Sequence, residues 1–385
     1  MSAPLQRWDI FCAFVDNYGD VGVAWRLARE LASEHALAVR LFVDALPALA
    51  RLAPGVDATR DAQRVENVEL RSWGGPRAGV PLADPAAVVI EAFGCGLPAS
   101  YLTSMAVRER APVWINLEYL SAENWIEDCH GLASRQPTLP LTRYFFFPGF
   151  TPASGGLLRE RDLVARREQF RNDAAARGAL WRKLGLARPD PGTLAVSLFC
   201  YPNPALPDLL DTWADGVEPI LCLVPEGAAS AALERWTGGA ALRVGEPLVR
   251  GALTLAGVPF VAQDEYDRLL WACEVNFVRG EDSFVRGQWA ARPLVWHVYP
   301  QAEDAHRLKL EAFLERYCAA LALETASALA GFWRAWNGDG DVRAAWARLV
   351  AARAALTVHA ETWAAKLAAR PDLATTLVKF CHDRL

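Results

Sequence analysis

Near the start of the chain, two acids and two glycines fall close together in Val15-Asp16-Asn17-Tyr18-Gly19-Asp20-Val21-Gly22. An apolar run precedes this stretch and an amphipathic one follows, so it reads as a turn from a strand into a helix, at the carboxyl edge of a sheet. Asp16 then ends the strand and Asp20 opens the helix, where a carboxylate caps unpaired amides and meets the helix dipole favourably. Capping accounts for Asp20 by itself. Two acids flanked by glycines also suit chemistry, because carboxylates accept protons or grip cations and glycine lets a ligand come close to the backbone.

A second charged turn stands in the other half, Asn276-Phe277-Val278-Arg279-Gly280-Glu281-Asp282-Ser283-Phe284, again where a strand runs into a helix. A helix N-terminus with Ser283 and a neighbouring Arg279 is a ready anion site, able to neutralise a diphosphate without a metal. A capped helix with a surface arginine explains Ser283 and one acid, but not why Arg-Gly-Glu-Asp crowds a carboxyl edge. A third turn, Phe199-Cys200-Tyr201-Pro202-Asn203-Pro204, carries aromatics that either stack on a base or sugar or plug the sheet edge.

Two further patterns imitate known sites. Gly94-Cys95-Gly96-Leu97-Pro98-Ala99 follows a strand, opens a helix and has Glu118 about twenty residues on, the G-x-G-x-x-A form of a dinucleotide fingerprint. An NAD-dependent oxidoreductase is therefore a competing reading, although the motif stands late in its sheet and not at the first βα turn. Asp339-Gly340-Asp341 imitates an acidic metal-holding pair, and a turn at Asn337-Gly338-Asp339-Gly340 with Asp341 as helix N-cap explains it better. The six histidines form no ligand spacing, and no metal is expected.

Alternating elements must position these turns. Strands are expected at 8–15, 39–43, 68–73, 88–92, 113–117 and 143–147, with helices at 21–34 and from 98 to near 110. A Pro/Gly/Ser-rich passage at 148–156 and an Arg-rich helical stretch at 159–182 read as a connection. Strands then resume at 193–199, 220–224, 253–255, 275–278 and 294–297, and from His306 onward only Ala-rich helices follow. The fold class is α/β, with a domain at 1–155, a connection at 156–184, a second domain at 185–362, and a final helix near 363–385 packing back on the first. Ligands of two such sheets sit in a cleft at their carboxyl edges.

Composition agrees with two packed cores: the 385 residues are 52% hydrophobic and include fifteen Trp. A net charge of -5 lacks the basic excess that a phosphate backbone attracts, so nucleic acid is not an expected partner. The eight cysteines are scattered singly and read as reduced, buried thiols. No secretory pattern opens the sequence and no uncharged run reaches the roughly 18 residues that span a bilayer, so a cytoplasmic protein without membrane association is expected.

In order along the chain, the phrase from Phe14 to Arg29, Asn116-Leu117-Glu118-Tyr119-Leu120-Ser121-Ala122-Glu123, Ser154-Gly155-Gly156-Leu157, the phrase from Arg279 to Arg286, and Trp296-His297-Val298-Tyr299-Pro300-Gln301 closely resemble the bacterial protein-arginine rhamnosyltransferases of the EarP family, which act on translation elongation factor P. The likeness runs over nearly the whole chain. It implies a GT-B glycosyltransferase fold of two facing Rossmann-like domains with C-terminal helices. The first half would bind the acceptor and the second the donor, dTDP-β-L-rhamnose, with inverting transfer to one arginine of elongation factor P and no cofactor or metal. It implies Asp20 as general base, with Asp16 and Glu281 nearby. It places Phe199, Tyr201, Phe260, Gln263, Arg279, Asp282 and Ser283 toward the donor, and Asn17, Tyr18, Gly19, Glu118, Tyr119 and Ser121 on the acceptor side. The chemistry fits: a guanidinium is protonated and a poor nucleophile, and carboxylates can both orient it and take its proton. A non-catalytic module that binds a nucleotide sugar or a protein is the third reading.

Overall fold

The structure, a computed structural model, describes residues 6–14, 18–74, 84–227, 230–301 and 304–385. The chain divides into two compact units, Met1–Arg161 with Ala368–Leu385, and Asp162–Leu367.

The first unit runs β1 (Arg7–Cys12), α1 (Gly19–Glu34), β2 (Ala38–Val43), α2 (Leu46–Leu52), β3 (Ala62–Val65), β4 (Val68–Ser72), β5 (Val88–Ala92), α3 (Ala99–Ala106), β6 (Val113–Leu117), α4 (Trp125–Cys129), β7 (Ala133–Arg135) and β8 (Thr142–Phe146). Its sheet has the order β3-β4-β2-β1-β5-β6-β8-β7, and all neighbours from β4 to β8 are parallel. Counting only parallel strands, this is the doubly wound order, which reverses direction between β1 and β5. Both sheet faces are covered, as the apolar runs require: Ile10, Leu41, Ile90 and Ile115 pack with α1 on one side, and Phe11, Val89 and Trp114 pack with Tyr101 and Met105 of α3 on the other. Helix α3 stops at Ala106, short of the expected end, where the sequence turns charged at Arg108-Glu109-Arg110.

The second unit runs α5 (Leu163–Asn172), α6 (Ala174–Lys183), β9 (Leu194–Leu198), α7 (Leu206–Ala214), β10 (Ile220–Pro225), α8 (Ser230–Trp236), β11 (Leu248–Arg250), β12 (Leu253–Val258), α9 (Gln263–Ala272), β13 (Val275–Arg279), α10 (Asp282–Trp289), β14 (Leu294–His297), α11 (Ala305–Cys318), α12 (Leu323–Trp336), α13 (Val342–Ala351) and α14 (Arg353–Ala368). Its sheet, β11-β12-β10-β9-β13-β14, reverses direction between β9 and β13. A final helix, α15 (Leu373–His382), adds Leu373, Ala374, Leu377 and Cys381 to the first unit's core.

Three antiparallel edge strands, β3, β7 and β11, were not expected. They are short and partly exposed, so no continuous apolar run marks them. The Arg-rich stretch read as a connection forms α5 and α6, which fall in the second unit and pack on α9, with Phe170 and Trp271 5.8 Å apart. Its arginines hold structure together. Arg167 donates to the Trp289 carbonyl, and Arg171 to those of Ala290 and Ala291, satisfying the C-terminal end of α10. Asp341 caps α13, accepting from the amides of Arg343 and Ala344. Asn337 in the same turn donates to the Trp296 carbonyl and accepts from Val298 N–H, stitching the turn to the end of β14. No helix among the described residues is long and apolar enough to cross a membrane.

Candidate functional site

In the first unit the chemistry gathers at the switch point. Helix α1 follows β1 directly, and Tyr18 occupies its N-cap without a side-chain capping bond. Asp20 therefore lies in the first turn and not at the capping position, and its carboxylate accepts a 3.1 Å hydrogen bond from the Tyr119 hydroxyl. Tyr119 follows β6, is 41% exposed, and stacks on Phe93 beyond β5 at 4.6 Å. The loops after β1, β5 and β6 thus converge on one carboxylate. Gly19 opens α1, and among the described residues nothing lies within 4 Å of where its Cβ would stand. Tyr18 accepts from Arg51 of α2 at 3.0 Å.

Nearby, Asn116 donates to Glu118, and Ser121 donates to Glu123 at 2.9 Å. Asp16 and Asn17 lie outside the described residues. A residue missed in the sequence, Asp44, follows β2 and accepts the Phe14 N–H at 2.7 Å, fixing where the chain leaves β1. Its position one residue past a strand was the available signal.

The second unit has its own constellation at its switch point. The Arg279 guanidinium, at the end of β13, lies over the ring of Phe199 at 4.1 Å and of Tyr201 at 4.8 Å, and donates to the Cys200 carbonyl at 3.1 Å. Burial lowers the Arg279 pKa from its ordinary value, yet aromatic faces on two sides favour the cation. Gly280 has φ +61°, and a Cβ there would stand 2.8 Å from the Tyr201 hydroxyl, so glycine lets the turn pass close to that ring. Gly227 serves likewise, 3.2 Å from Phe199 and 3.6 Å from Arg279 by the same measure.

Ser283 does not cap α10. Glu281 holds the N-cap position, while the Ser283 hydroxyl accepts from the Arg279 N–H at 3.0 Å and donates to the Arg279 carbonyl, locking the turn. Asp282 accepts from Gln263 at 3.2 Å and from Arg286 at 3.4 Å, and Arg286 forms a buried pair with Asp267 at 2.6 Å. Helices α9 and α10 are thereby cross-linked beneath the site. Phe260 lies on the connection from β12 to α9.

Two residues here were not singled out from the sequence. Tyr266 meets Phe199 edge to face at 5.9 Å, and its hydroxyl is buried without a hydrogen-bond partner among the described residues. His297 ends β14 in register with Arg279. Among the described residues, no three His, Cys, Asp or Glu side chains are grouped to hold a metal.

The dinucleotide-like loop fails on electrostatics. Gly96 N–H donates to buried Glu91 at 3.0 Å, and the other Glu91 oxygen accepts from Trp114 at 3.1 Å and lies 3.5 Å from Arg143. A carboxylate already occupies the amide that a pyrophosphate would need, and Pro98 at the N-cap of α3 supplies no N–H. Burial also pushes the Cys95 and Cys200 thiols up to about 12, which leaves both inert.

Two Rossmann-like units in one chain, each with a polar constellation at the point where its strand order reverses, define a glycosyltransferase of the GT-B fold. Residues 8–382 match the family described as Elongation-Factor P (EF-P) rhamnosyltransferase EarP. The chain is 53% identical to the protein-arginine rhamnosyltransferase of Pseudomonas putida, covering 98% of this chain and 99% of that one, and 51% identical to that of Pseudomonas aeruginosa, covering 99% and 100%. A solved structure described as "Structural basis for EarP-mediated arginine glycosylation of translation elongation factor EF-P" is 40% identical, with a TM-score of 0.71 over 98% of this chain and 99% of that chain. The chain belongs to the EarP family.

Proposed function

We propose that the enzyme transfers L-rhamnose from dTDP-β-L-rhamnose to a guanidinium nitrogen of one arginine of translation elongation factor P. The observation that carries the donor half is the Arg279 guanidinium held between Phe199 and Tyr201, beside the N-terminus of α10. A fixed cation and helix amides at one point suit a diphosphate, and they stabilise the charge that builds on the leaving phosphate without a metal. Phe199 and Tyr266 offer apolar faces for the base, and Gln263 and Asp282 offer polar groups for base or ribose edges.

On the acceptor side, Asp20 is the general base. The guanidinium nitrogen attacks the anomeric carbon, the bond from that carbon to the dTDP oxygen breaks, and the nitrogen's proton passes to the Asp20 carboxylate. A single displacement of this kind inverts the anomeric centre. Tyr119 holds the accepting carboxylate in one orientation, an arrangement that favours proton transfer along a defined line. Glu118 and Glu123 supply further carboxylates able to orient a planar cation, and the family resemblance adds Asp16 and Glu281 to the reaction.

A single-turnover assay with purified elongation factor P and dTDP-rhamnose, read by mass spectrometry, tests the proposal. One deoxyhexosyl unit on one arginine is expected; unmodified acceptor, with donor demonstrably bound, would refute it.

A further inference from the structure

His297 is the last residue of β14, and its partner on the neighbouring strand is Arg279, so the two side chains leave the same face of the sheet at its carboxyl edge. Its ring meets Tyr201 edge to face at 5.5 Å and Trp336 at 5.8 Å. The residue is only 6% exposed, and Nδ1 is sealed from solvent without a hydrogen-bond partner among the described residues. Nor does Nε2 find a protein acceptor among the described residues.

Burial, reinforced by Arg279 and His306, pulls the imidazole pKa down to about 4, so the ring is neutral at working pH. A neutral imidazole carries one N–H, and the proton rests on the nitrogen that can reach an acceptor. Nδ1 is walled in, which assigns the proton to Nε2. A buried histidine whose Nε2 has no acceptor among the described residues, in register with a cation at a sheet edge where ligands bind, has that N–H available to a ligand oxygen.

We propose that His297 is a binding residue of the donor subsite, donating a hydrogen bond from Nε2 to the diphosphate beside Arg279. The inference rests on the donor reading above. Because the donating group is neutral, it adds a third kind of contact to the phosphate, alongside the guanidinium and the helix amides, without placing a second cation against Arg279.

The test is calorimetric titration of the full-length protein at pH 8 with dTDP and, separately, with thymidine. His297→Phe keeps an aromatic ring against Tyr201 and Trp336 but has no N–H. Gln places its amide nitrogen where Nε2 stands, and Asn places it where Nδ1 stands. The Kd for dTDP should rise about tenfold or more in His297→Phe and His297→Asn, as loss of a hydrogen bond to a charged acceptor does, and stay within about threefold in His297→Gln. Thymidine affinity should be the same in all four proteins.

A His297→Phe variant that binds dTDP as tightly as wild type would overturn the assignment, as would thymidine affinity falling in parallel, which marks a packing role. If His297→Phe does not fold, the Gln and Asn variants carry the test alone, and equal dTDP affinity in those two would also overturn it. Wild-type protein that binds neither dTDP nor thymidine would instead overturn the donor reading.

Discussion

Replacing Gly280 by Ala separates the two demands that the structure places on that position. The backbone there has φ +61°, a conformation that costs an L-residue about 1–2 kcal/mol. The new Cβ would stand 2.8 Å from the Tyr201 hydroxyl, roughly 0.7 Å inside a contact of about 3.5 Å. Tyr201 cannot simply retreat, because His297 and Tyr299 lie against its ring at 5.5 and 5.3 Å. It must slide off Arg279, over which it now sits at 4.8 Å. Losing that cation–π contact, worth about 0.5–2 kcal/mol, and loosening the guanidinium should weaken donor binding about tenfold. Gly94→Ala is the matched control: its φ is +62°, and nothing lies within 4 Å of its Cβ. Both variants should melt a few degrees lower than wild type, and Gly280→Ala alone should lose affinity for dTDP-rhamnose in calorimetry. Equal donor affinity in the two variants would refute the role given to Tyr201 and Arg279.

Asp20→Asn should leave dTDP-rhamnose affinity unchanged and lower kcat by roughly 10²- to 10⁴-fold, as loss of a general base does; near-normal turnover would end that assignment. Glu30 of α1 is 2% exposed with neither carboxylate oxygen hydrogen-bonded among the described residues, and burial, with Glu160 adding to it and Arg26 opposing, raises its pKa well above the ordinary carboxylate value. From about 4.3 up to that raised value the native state keeps a proton that the unfolded chain has lost, so stability falls as pH rises, by up to about 1.4 kcal/mol per pH unit. Glu30→Gln removes this slope, so urea midpoints should favour the variant increasingly from pH 5 to pH 8, and a pH-independent difference would contradict the argument. Transfer should also proceed at an undiminished rate in excess EDTA, since on the proposed reading Arg279 and the α10 amides meet the phosphate charge; activity lost on chelation and restored by Mn²⁺ would count against this.

The parallel framework was legible because buried strands write themselves as apolar runs: 88–92, 113–117 and 294–297 were bounded to the residue. What escaped was whatever the chain stabilises by means other than burial. Edge strands such as β7 are held by main-chain pairing to one neighbour and show no apolar signature. Helices α5 and α6 read as part of a connection because an Arg-rich helical stretch follows the Pro/Gly/Ser-rich passage at 148–156, whereas Arg167 and Arg171 donate to the carbonyls at the end of α10. In the site, residue types were readable and partnerships were not. Ser283 has the composition of a cap, but its hydroxyl turns back to Arg279, and the N-cap position goes to Glu281.

The two glycine-bearing loops that invited an anion make the same point more sharply. Gly94-Cys95-Gly96 and Gly280-Glu281 both follow a parallel strand and both contain a glycine near φ +60°, so backbone conformation cannot tell them apart. What separates them is the charge brought up from the sheet. Glu91, buried within β5, turns its carboxylate onto the Gly96 amide and is itself held by Trp114 and Arg143. Arg279 ends β13 as a cation fixed between two aromatic faces. A phosphate brought to the first loop would displace a buried carboxylate from the Gly96 amide and meet its charge; brought to the second, it meets a guanidinium whose position is already set. The discriminating residue thus stands three before the first glycine in one loop and immediately before the glycine in the other. Spacing within the loop carries no information about it, and the side-chain charge at the carboxyl end of the preceding strand carries most.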